Sequence, residues 1–409
     1  MGGSLEHSQP AGPLNLFLYT GNRRMRFSVD AHAIGRHLTG NEVYIRNLLN
    51  AFAALDQTSD FIVYLSRNID GVEDAVPVRF VRRCVSANSL VRLGLDLGRR
   101  IRADRPDLVH VQYTAPLICP APIVVSVHDI SFLEHPEYFP WLRAAQLRFT
   151  VRRTMERAAR VLTPSEFSRS AILRAYSLDP ARVEVVPIAV SPLFRPLPRQ
   201  SAAIRVSNSF GIIGPYIVTV GDLQPRKNQI GLIEAFERLL AECPQLPHNL
   251  VIVGKDTWFS GRVHARAQAS RLANRIHFTG WVGDDDLVQL YGASDLMVFP
   301  SWYEGFGLPI LEAMACGRAV ACSDTSAMPE VADSAALLFD PGSPDAIVRA
   351  MRDVLLDNDL RARLERLGQG RASLFTWQRT AQRTLDIYNE VAGSRSAASH
   401  AVKSVPAIR

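Results

Sequence analysis

Two glutamates eight positions apart, Glu304 and Glu312, flank a glycine-rich turn and a helix start in the segment SWYEGFGLPILEAMACGRAVACSD. An apolar strand ending near Pro300 leads into Glu304, and Pro309 falls in the first helical turn with a glycine just before it. Free N–H groups and the dipole at such a helix start favour an anion. Phe306, Gly307 and Leu308 could therefore cradle a phosphate. Glu304, in the turn, would face a bound sugar, and Glu312, one turn into the helix, would sit by a ribose whose vicinal hydroxyls a carboxylate can bind. These residue types alone leave a plainer alternative, in which Glu304 complements the dipole and Glu312 lies at the surface.

A second constellation lies upstream. In VTVGDLQPRKNQIGLIEAF an apolar run ends at Gly221, and the loop beyond it delivers Arg226, Lys227 and Asn228 just before the next helical stretch. Two cations at a strand end suit a diphosphate, Arg as a planar fork and Lys as a point charge. Together they could stabilise negative charge growing on a departing group; loop-surface charges are the alternative. In IVVSVHDISFLEHPEYFP, His128 and Asp129 directly follow an apolar strand. His128 could hydrogen-bond a hydroxyl or a phosphate, or be a buried histidine satisfied by backbone. The run Asp284, Asp285, Asp286 invites a metal reading. It falls where a helix should start, and there acidic residues cap free N–H groups, so no metal is expected.

These residues need elements to hold them. From Arg26 onward, β-branched runs (RFSVDA, FIVYL, VRFV, DLVHV, PIVVSVHD, RVLTPS, RVEVVPIAV) alternate with amphipathic stretches, including helices over 42–55, 141–159 and 166–176. A second series follows: YIVTVGD, NLVIVGK, RIHFTGW, DLMVFPS, RAVACSD and ALLFDP, with helices between them. Such alternation argues for parallel strands with crossover helices. The expected fold is α/β, two Rossmann-like domains facing a cleft, and ligands in open α/β sheets bind at the C-terminal ends of the strands. The expected boundaries are a flexible extension over 1–25, a first domain over 26–195 and a second over 214–375. Residues 196–213, rich in Pro, Ser and Arg and without periodicity, are the expected linker, and 393–409 a flexible tail.

The 409 residues are 47% hydrophobic and 21% charged, enough for more than one domain. A net charge of +6 with pI about 9.2 suits an anionic surface or acidic ligand. No basic helix in a base-reading context and no aromatic-plus-basic RNA motif accompanies it, so nucleic acid is not the expected partner. Five widely spaced cysteines without a CxxC pair fit a reducing compartment. The N-terminal apolar stretch lacks a basic region ahead of it, and the apolar run over 115–127 is broken by prolines and short of the ~20 residues a membrane helix needs. The expected location is cytoplasmic, with any membrane contact peripheral. One segment suggests such contact: WLRAAQLRFTVRRTMERAARVL sets six arginines beside Trp141, Leu142 and Phe149, a pattern that fits either an anionic lipid surface or a crossover helix with solvated arginines.

Taken together, the Glu304-to-Glu312 segment resembles the E-x7-E motif of retaining glycosyltransferase family 4, down to EGFGLPILEAMACG, and the resemblance runs from about Arg26 to Val391. It implies the two-Rossmann-domain fold called GT-B, with a last helix over 376–392 crossing back onto the first domain. It implies that Arg226 and Lys227 contact donor phosphates, that His128 stands at the donor sugar, and that backbone at Trp281 and Val282 meets the nucleobase. Gly40, in DAHAIGRHLTGNEVYIRNLL, matches the family's loop after the first strand, where backbone approaches the reaction centre; two glycines are common there, and this chain has Thr39-Gly40-Asn41. The combination with HDISFLEHPEYFP looks most like bacterial mannosyltransferases of surface-polysaccharide assembly.

The implied reaction moves a hexose from a nucleotide diphosphate sugar, GDP-mannose first and UDP-glucose or another UDP-hexose second, to a hydroxyl of a glycan or lipid-linked glycan. Retention by double displacement needs a carboxylate nucleophile. The resemblance assigns Glu304 to sugar hydroxyls instead, so front-face substitution without metal or other cofactor is expected. An epimerase or hydrolase on the same fold is the nearest rival. A dinucleotide oxidoreductase is disfavoured because no G-x-G-x-x-G follows the first strand.

Overall fold

The computed structural model describes residues 24–36, 39–66 and 76–403. The expected extension over 1–25 therefore lies almost wholly outside the described residues. Parallel strands β1 (Arg26–Asp30), β2 (Asp60–Ser66), β3 (Val81–Val85), β4 (Leu108–Gln112), β5 (Ile123–Ser126), β6 (Arg160–Thr163) and β7 (Val183–Val185) form one sheet, in the order β3-β2-β1-β4-β5-β6-β7. A second parallel sheet holds β8 (Tyr216–Val220), β9 (Asn249–Val253), β10 (Ile276–Gly280), β11 (Leu296–Phe299), β12 (Ala319–Ser323) and β13 (Leu337–Phe339), in the order β10-β9-β8-β11-β12-β13. Both orders reverse once, between β1 and β4 and between β8 and β11, and such a reversal opens a crevice at the strand ends. The strands read as almost continuous apolar runs because helices cover both faces.

The expected elements mostly hold, with three differences. The run VRFV is not itself a strand: Val78 is solvent-exposed and Phe80 turns into the core, so β3 starts only at Val81. The expected linker contains a helix, Arg199–Phe210, which buries Ala202 and Val206 against the helix Asp284–Ala293 and ends on Gly211 with φ 67°. Its apolar face is only a few small side chains among Ser, Gln and Arg, so periodicity did not reveal it. The last helix runs from Trp377 to Lys403, well into the stretch expected to be a tail; residues 404–409 lie outside the described set.

That last helix is part of the first domain's core. Trp377, Leu385 and Tyr388 pack with Phe27, Val29 and Leu48 of β1 and the helix Thr39–Leu55. The chain thus leaves the first domain, builds the second, and returns. Among the described residues no helix is long and apolar enough to cross a membrane.

Candidate active site

Arg226 and Lys227 follow β8, and Glu304 follows β11, its neighbour at the reversal point. Local geometry aims all three side chains at one place. Pro225 opens a single 3-10 turn over Pro225–Lys227, and Asn228 closes it in the left-handed region at φ 53°, a conformation Asn tolerates better than most residues. Gly221 has φ 155°, and a Cβ there would stand 3.0 Å from the Lys227 side chain. Only glycine lets that lysine lie along the strand end. Its ammonium rests 4.8 Å from the Phe299 ring centroid.

The Glu304 carboxylate joins the two cations, one oxygen 2.6 Å from Arg226 Nη1 and the other 2.6 Å from Lys227 Nζ. Its backbone N–H donates to Ser326 Oγ at 3.0 Å. Burial alone would raise the Glu304 pKa, but the charges of Arg226 and Lys227 outweigh it and hold the carboxylate at about 2. Burial pulls Lys227 down, against the pull of Glu304, whereas for Arg226 the Glu304 charge prevails and the pKa rises. The trio carries one net positive charge in a low-dielectric place, which favours a polyanion.

Glu312 is buried rather than at the surface. One of its oxygens accepts the Tyr291 hydroxyl at 3.0 Å, and burial pushes its pKa to about 7, reinforced by the charge of Asp284. Gly307, at φ 102°, precedes the helix Leu308–Ala315, whose first residues are Leu308 and Pro309. Phe306 points into the core beside Phe375, so only its backbone can reach a ligand. Trp281 and Val282 follow β10, the first half-exposed and the second packed on the core. Asp284, Asp285 and Asp286 occupy the first turn of their helix.

His128, just past β5, arrives from the other domain. Gly305 is why it can: a Cβ there would lie 2.0 Å from the His128 carbonyl oxygen. The imidazole is half-buried, and its desolvation lowers the pKa to about 4 despite Asp129, so it is neutral at physiological pH. Its polar contact is a long one, 3.5 Å to Gln112 Oε1. The structure thus brings together Arg226, Lys227 and Glu304, sets Glu312 deeper behind them, and faces them with His128. Gly40 stands apart in the first turn of the helix Thr39–Leu55, exposed, with open space where a Cβ would be.

This arrangement has known relatives. Residues 38–192 match the family model "Glycosyltransferase Family 4", and residues 204–371 match "Glycosyl transferases group 1". The O-antigen chain mannosyltransferase B of Escherichia coli is 33% identical over 267 residues, 65% of this chain and 69% of the relative. The chain belongs to glycosyltransferase family 4. The serotype-specific mannosyltransferase WbdA of Escherichia coli is 29% identical over 233 residues, 56% of this chain but only 29% of that longer protein. The fold is GT-B: sucrose-phosphate synthase of Thermosynechococcus elongatus superposes with TM-score 0.73 at 18% identity, covering 91% of this chain and all of that one. The Anabaena protein Alr3699/HepE, solved with UDP and glucose, gives TM-score 0.71 at 21% identity over 90% of this chain and all of its own.

Several residues of this glycosyltransferase site escaped sequence reasoning. Ser165 Oγ donates to the Gly305 carbonyl at 2.7 Å, and Tyr303 donates to Glu134 at 2.7 Å, both across the cleft. Glu330, from the second domain, accepts the backbone N–H groups of Glu166 and Phe167 at 2.9 and 3.1 Å, capping a first-domain helix. Ser165 carried a readable signal as an N-cap ahead of Glu166. Tyr291, Glu330 and Tyr303 carried none, because their partners lie 21, 164 and 169 positions away.

Proposed function

We propose that this glycosyltransferase moves mannose from GDP-mannose to a hydroxyl of a glycan or lipid-linked glycan, with retention of configuration and without a metal ion. The carrying observation is the trio of half-buried Arg226 with buried Glu304 and Lys227, both carboxylate oxygens held at 2.6 Å. Mannose is the donor sugar named for the two Escherichia coli relatives. Arg226 and Lys227, with the N–H groups ahead of the helix Leu308–Ala315, neutralise the diphosphate as it departs. Glu312, once ionised, accepts the ribose hydroxyls.

A Glu304 whose two oxygens are engaged by cations, and whose pKa is held at about 2, is poorly placed to attack an anomeric carbon. That supports same-face substitution: the bond from C1 to the phosphate oxygen breaks, the acceptor oxygen bonds to C1 on the same side, and the acceptor proton passes to the leaving phosphate. Neutral His128 hydrogen-bonds the sugar or the leaving group, and the protein's main contribution is orientation and charge.

The acceptor end fits a cytoplasmic enzyme resting on an anionic membrane. On the helix Trp141–Arg157 the side chains of Trp141, Leu142 and Phe149 are 76%, 64% and 69% exposed, away from the sheet. Arg153 and Arg157 reach the Leu117 carbonyl, beside exposed Leu117 and Ile118, so the apolar face continues past the helix. Aromatic and aliphatic tips among arginines suit an anionic interface. Flotation with anionic but not neutral vesicles at low salt supports this, and no flotation removes it.

The donor is tested by thermal shift of the purified protein with GDP-mannose, UDP-glucose, UDP-galactose and UDP-N-acetylglucosamine, since a ligand of the folded state raises Tm. A selective rise with GDP-mannose supports the reading. A selective rise with a UDP-sugar replaces the donor and leaves the reaction class standing, and no rise with any of them overturns the reading.

A further inference from the structure

A buried line of polar groups runs from the returning C-terminal helix to His128, and the chemistry proposed above does not use it. The Tyr388 hydroxyl lies 2.5 Å from His110 Nδ1 on β4. His110 Nε2 lies 2.8 Å from Ser126 Oγ, the last residue of β5. Ser126 Oγ lies 2.9 Å from the Tyr44 hydroxyl. The Tyr44 ring meets His128 edge to face, with centroids 4.7 Å apart and planes at 74°. Tyr388, His110, Ser126 and Tyr44 are all buried.

Either direction of donation along this line satisfies both ring nitrogens of a neutral His110. Burial keeps that ring neutral, lowering its pKa to about 3. A line of groups so enclosed resists displacement of any member, because breaking a link leaves a buried donor or acceptor unpaired. Among the described residues, the polar restraint on the His128 ring is a 3.5 Å contact to Gln112. Its placement therefore depends on the rings around it, Tyr44 on one side and Tyr113, at 5.8 Å, on another. Tyr44 is in turn pinned at its hydroxyl end by Ser126, and Trp377 of the returning helix packs 6.1 Å from its ring.

We propose that Tyr44 and Tyr388 are positioning residues for His128, so that docking of the C-terminal helix on the first domain sets the imidazole's place in the cleft. This rests on His128 acting in the proposed reaction. The helix thereby has a task beyond covering the sheet: it completes the site from a point 260 residues away in sequence, Tyr388 against His128.

The test is a double-mutant cycle on the full chain, following GDP release from GDP-mannose. Tyr44→Phe and Tyr388→Phe keep the rings and remove single hydroxyls. Each should lower kcat about tenfold or more, as a misplaced reacting group does, with donor KM unchanged. In a His128→Ala background neither should lower it further. The same loss in both backgrounds overturns the proposal, as does an unchanged kcat. Normal turnover of His128→Ala alone overturns instead the role given to His128. A second readout needs no substrate: in protein carrying 15N-histidine, with signals assigned from His110 and His128 variants, Tyr388→Phe should shift the imidazole signals of both. A shift confined to His110 shows the line ending there and overturns the proposal.

Discussion

The two edges of the cleft are finished to different degrees. On the second domain, Glu304 is held by two cations and Glu312 by Tyr291, and the buried atoms beside them that lack a hydrogen bond, Gln229 Oε1 and Ser301 Oγ, belong to neutral groups. On the first, charged groups are among the buried atoms without a hydrogen bond in the described residues: Asp30 Oδ2 at the end of β1, Glu42 Oε2, and both Nε and Nη1 of Arg92, together with Gln112 Nε2 at the end of β4. Arg92 stands 4.0 Å from Asp30, too far for a hydrogen bond. Buried polar groups normally find a partner in protein, water or ligand. A donor side built from satisfied ion pairs can bind its nucleotide with little rearrangement. An acceptor side with orphaned groups is completed by what enters it, and the acceptor hydroxyls proposed above are one such partner.

The largest effect that bears on this contrast is at the trio. Arg226→Ala or Lys227→Ala should lower turnover by ~10²-fold or more, on the scale of one lost oxyanion donor, measured as GDP release at saturating GDP-mannose. Near-normal turnover would remove these residues from the mechanism. Next comes Arg92→Met, which leaves the buried Asp30 carboxylate without the cation that stands 4.0 Å from it. Removing one partner of a buried ion pair costs roughly 3–5 kcal/mol, so Tm should fall, while the GDP-mannose thermal shift, read on the other edge, should stay as it was. An unchanged Tm would mean that Asp30 does not depend on Arg92.

The sequence disclosed one edge far better than the other, for a physical reason. Arg226, Lys227 and Glu304 sit on short loops just past apolar strands, and strand ends in an open sheet point into the crevice, so position in the alternation together with the family resemblance singles them out. The sequence puts Glu312 on its helix, but its burial is not legible there, because the Tyr291 hydroxyl that accompanies it comes from a neighbouring helix. Arg92 sits in a basic stretch that reads as solvated, yet it lies in a short π-helical turn, Arg92–Asp96, that rolls it inward. Gly305 was visible only as part of a glycine-rich turn; its need for a bare Cα comes from the His128 carbonyl of the other domain. The helix Arg199–Phe210 went unread because its buried face is mostly small side chains.

Glu312 gives a smaller, pH-dependent test of the donor edge. Its pKa in the folded protein, about 7, lies above the ordinary 4.5. Between those values the folded state holds a proton that the unfolded state releases, so its contribution to stability falls as pH climbs through that window. Donor binding should run the other way, because the ionised carboxylate is the form that accepts ribose hydroxyls, so GDP-mannose affinity should strengthen as pH rises through about 7. Glu312→Gln should bind more weakly and without that slope, as titration calorimetry from pH 6 to 8, a range of about one unit either side, would show. A slope that survives the substitution would place the titrating group elsewhere.

The smallest effect belongs to the contact that joins the edges. Glu330 caps the helix Glu166–Ala175 from across the cleft, its two oxygens on successive backbone N–H groups. Because Glu330 is exposed and solvent can replace it at those N–H groups, Glu330→Ala should cost about 1 kcal/mol, the usual scale of a lost cap. What it changes is the relation between the domains. With the cap gone, Ser165 to Gly305 and Tyr303 to Glu134 still hold the edges together, so small-angle scattering of the free protein should show a modestly larger radius and GDP-mannose should restore the smaller one. If the radius does not change, the cap stabilises its helix without holding the cleft closed, and the satisfied and unsatisfied edges keep their relation without it.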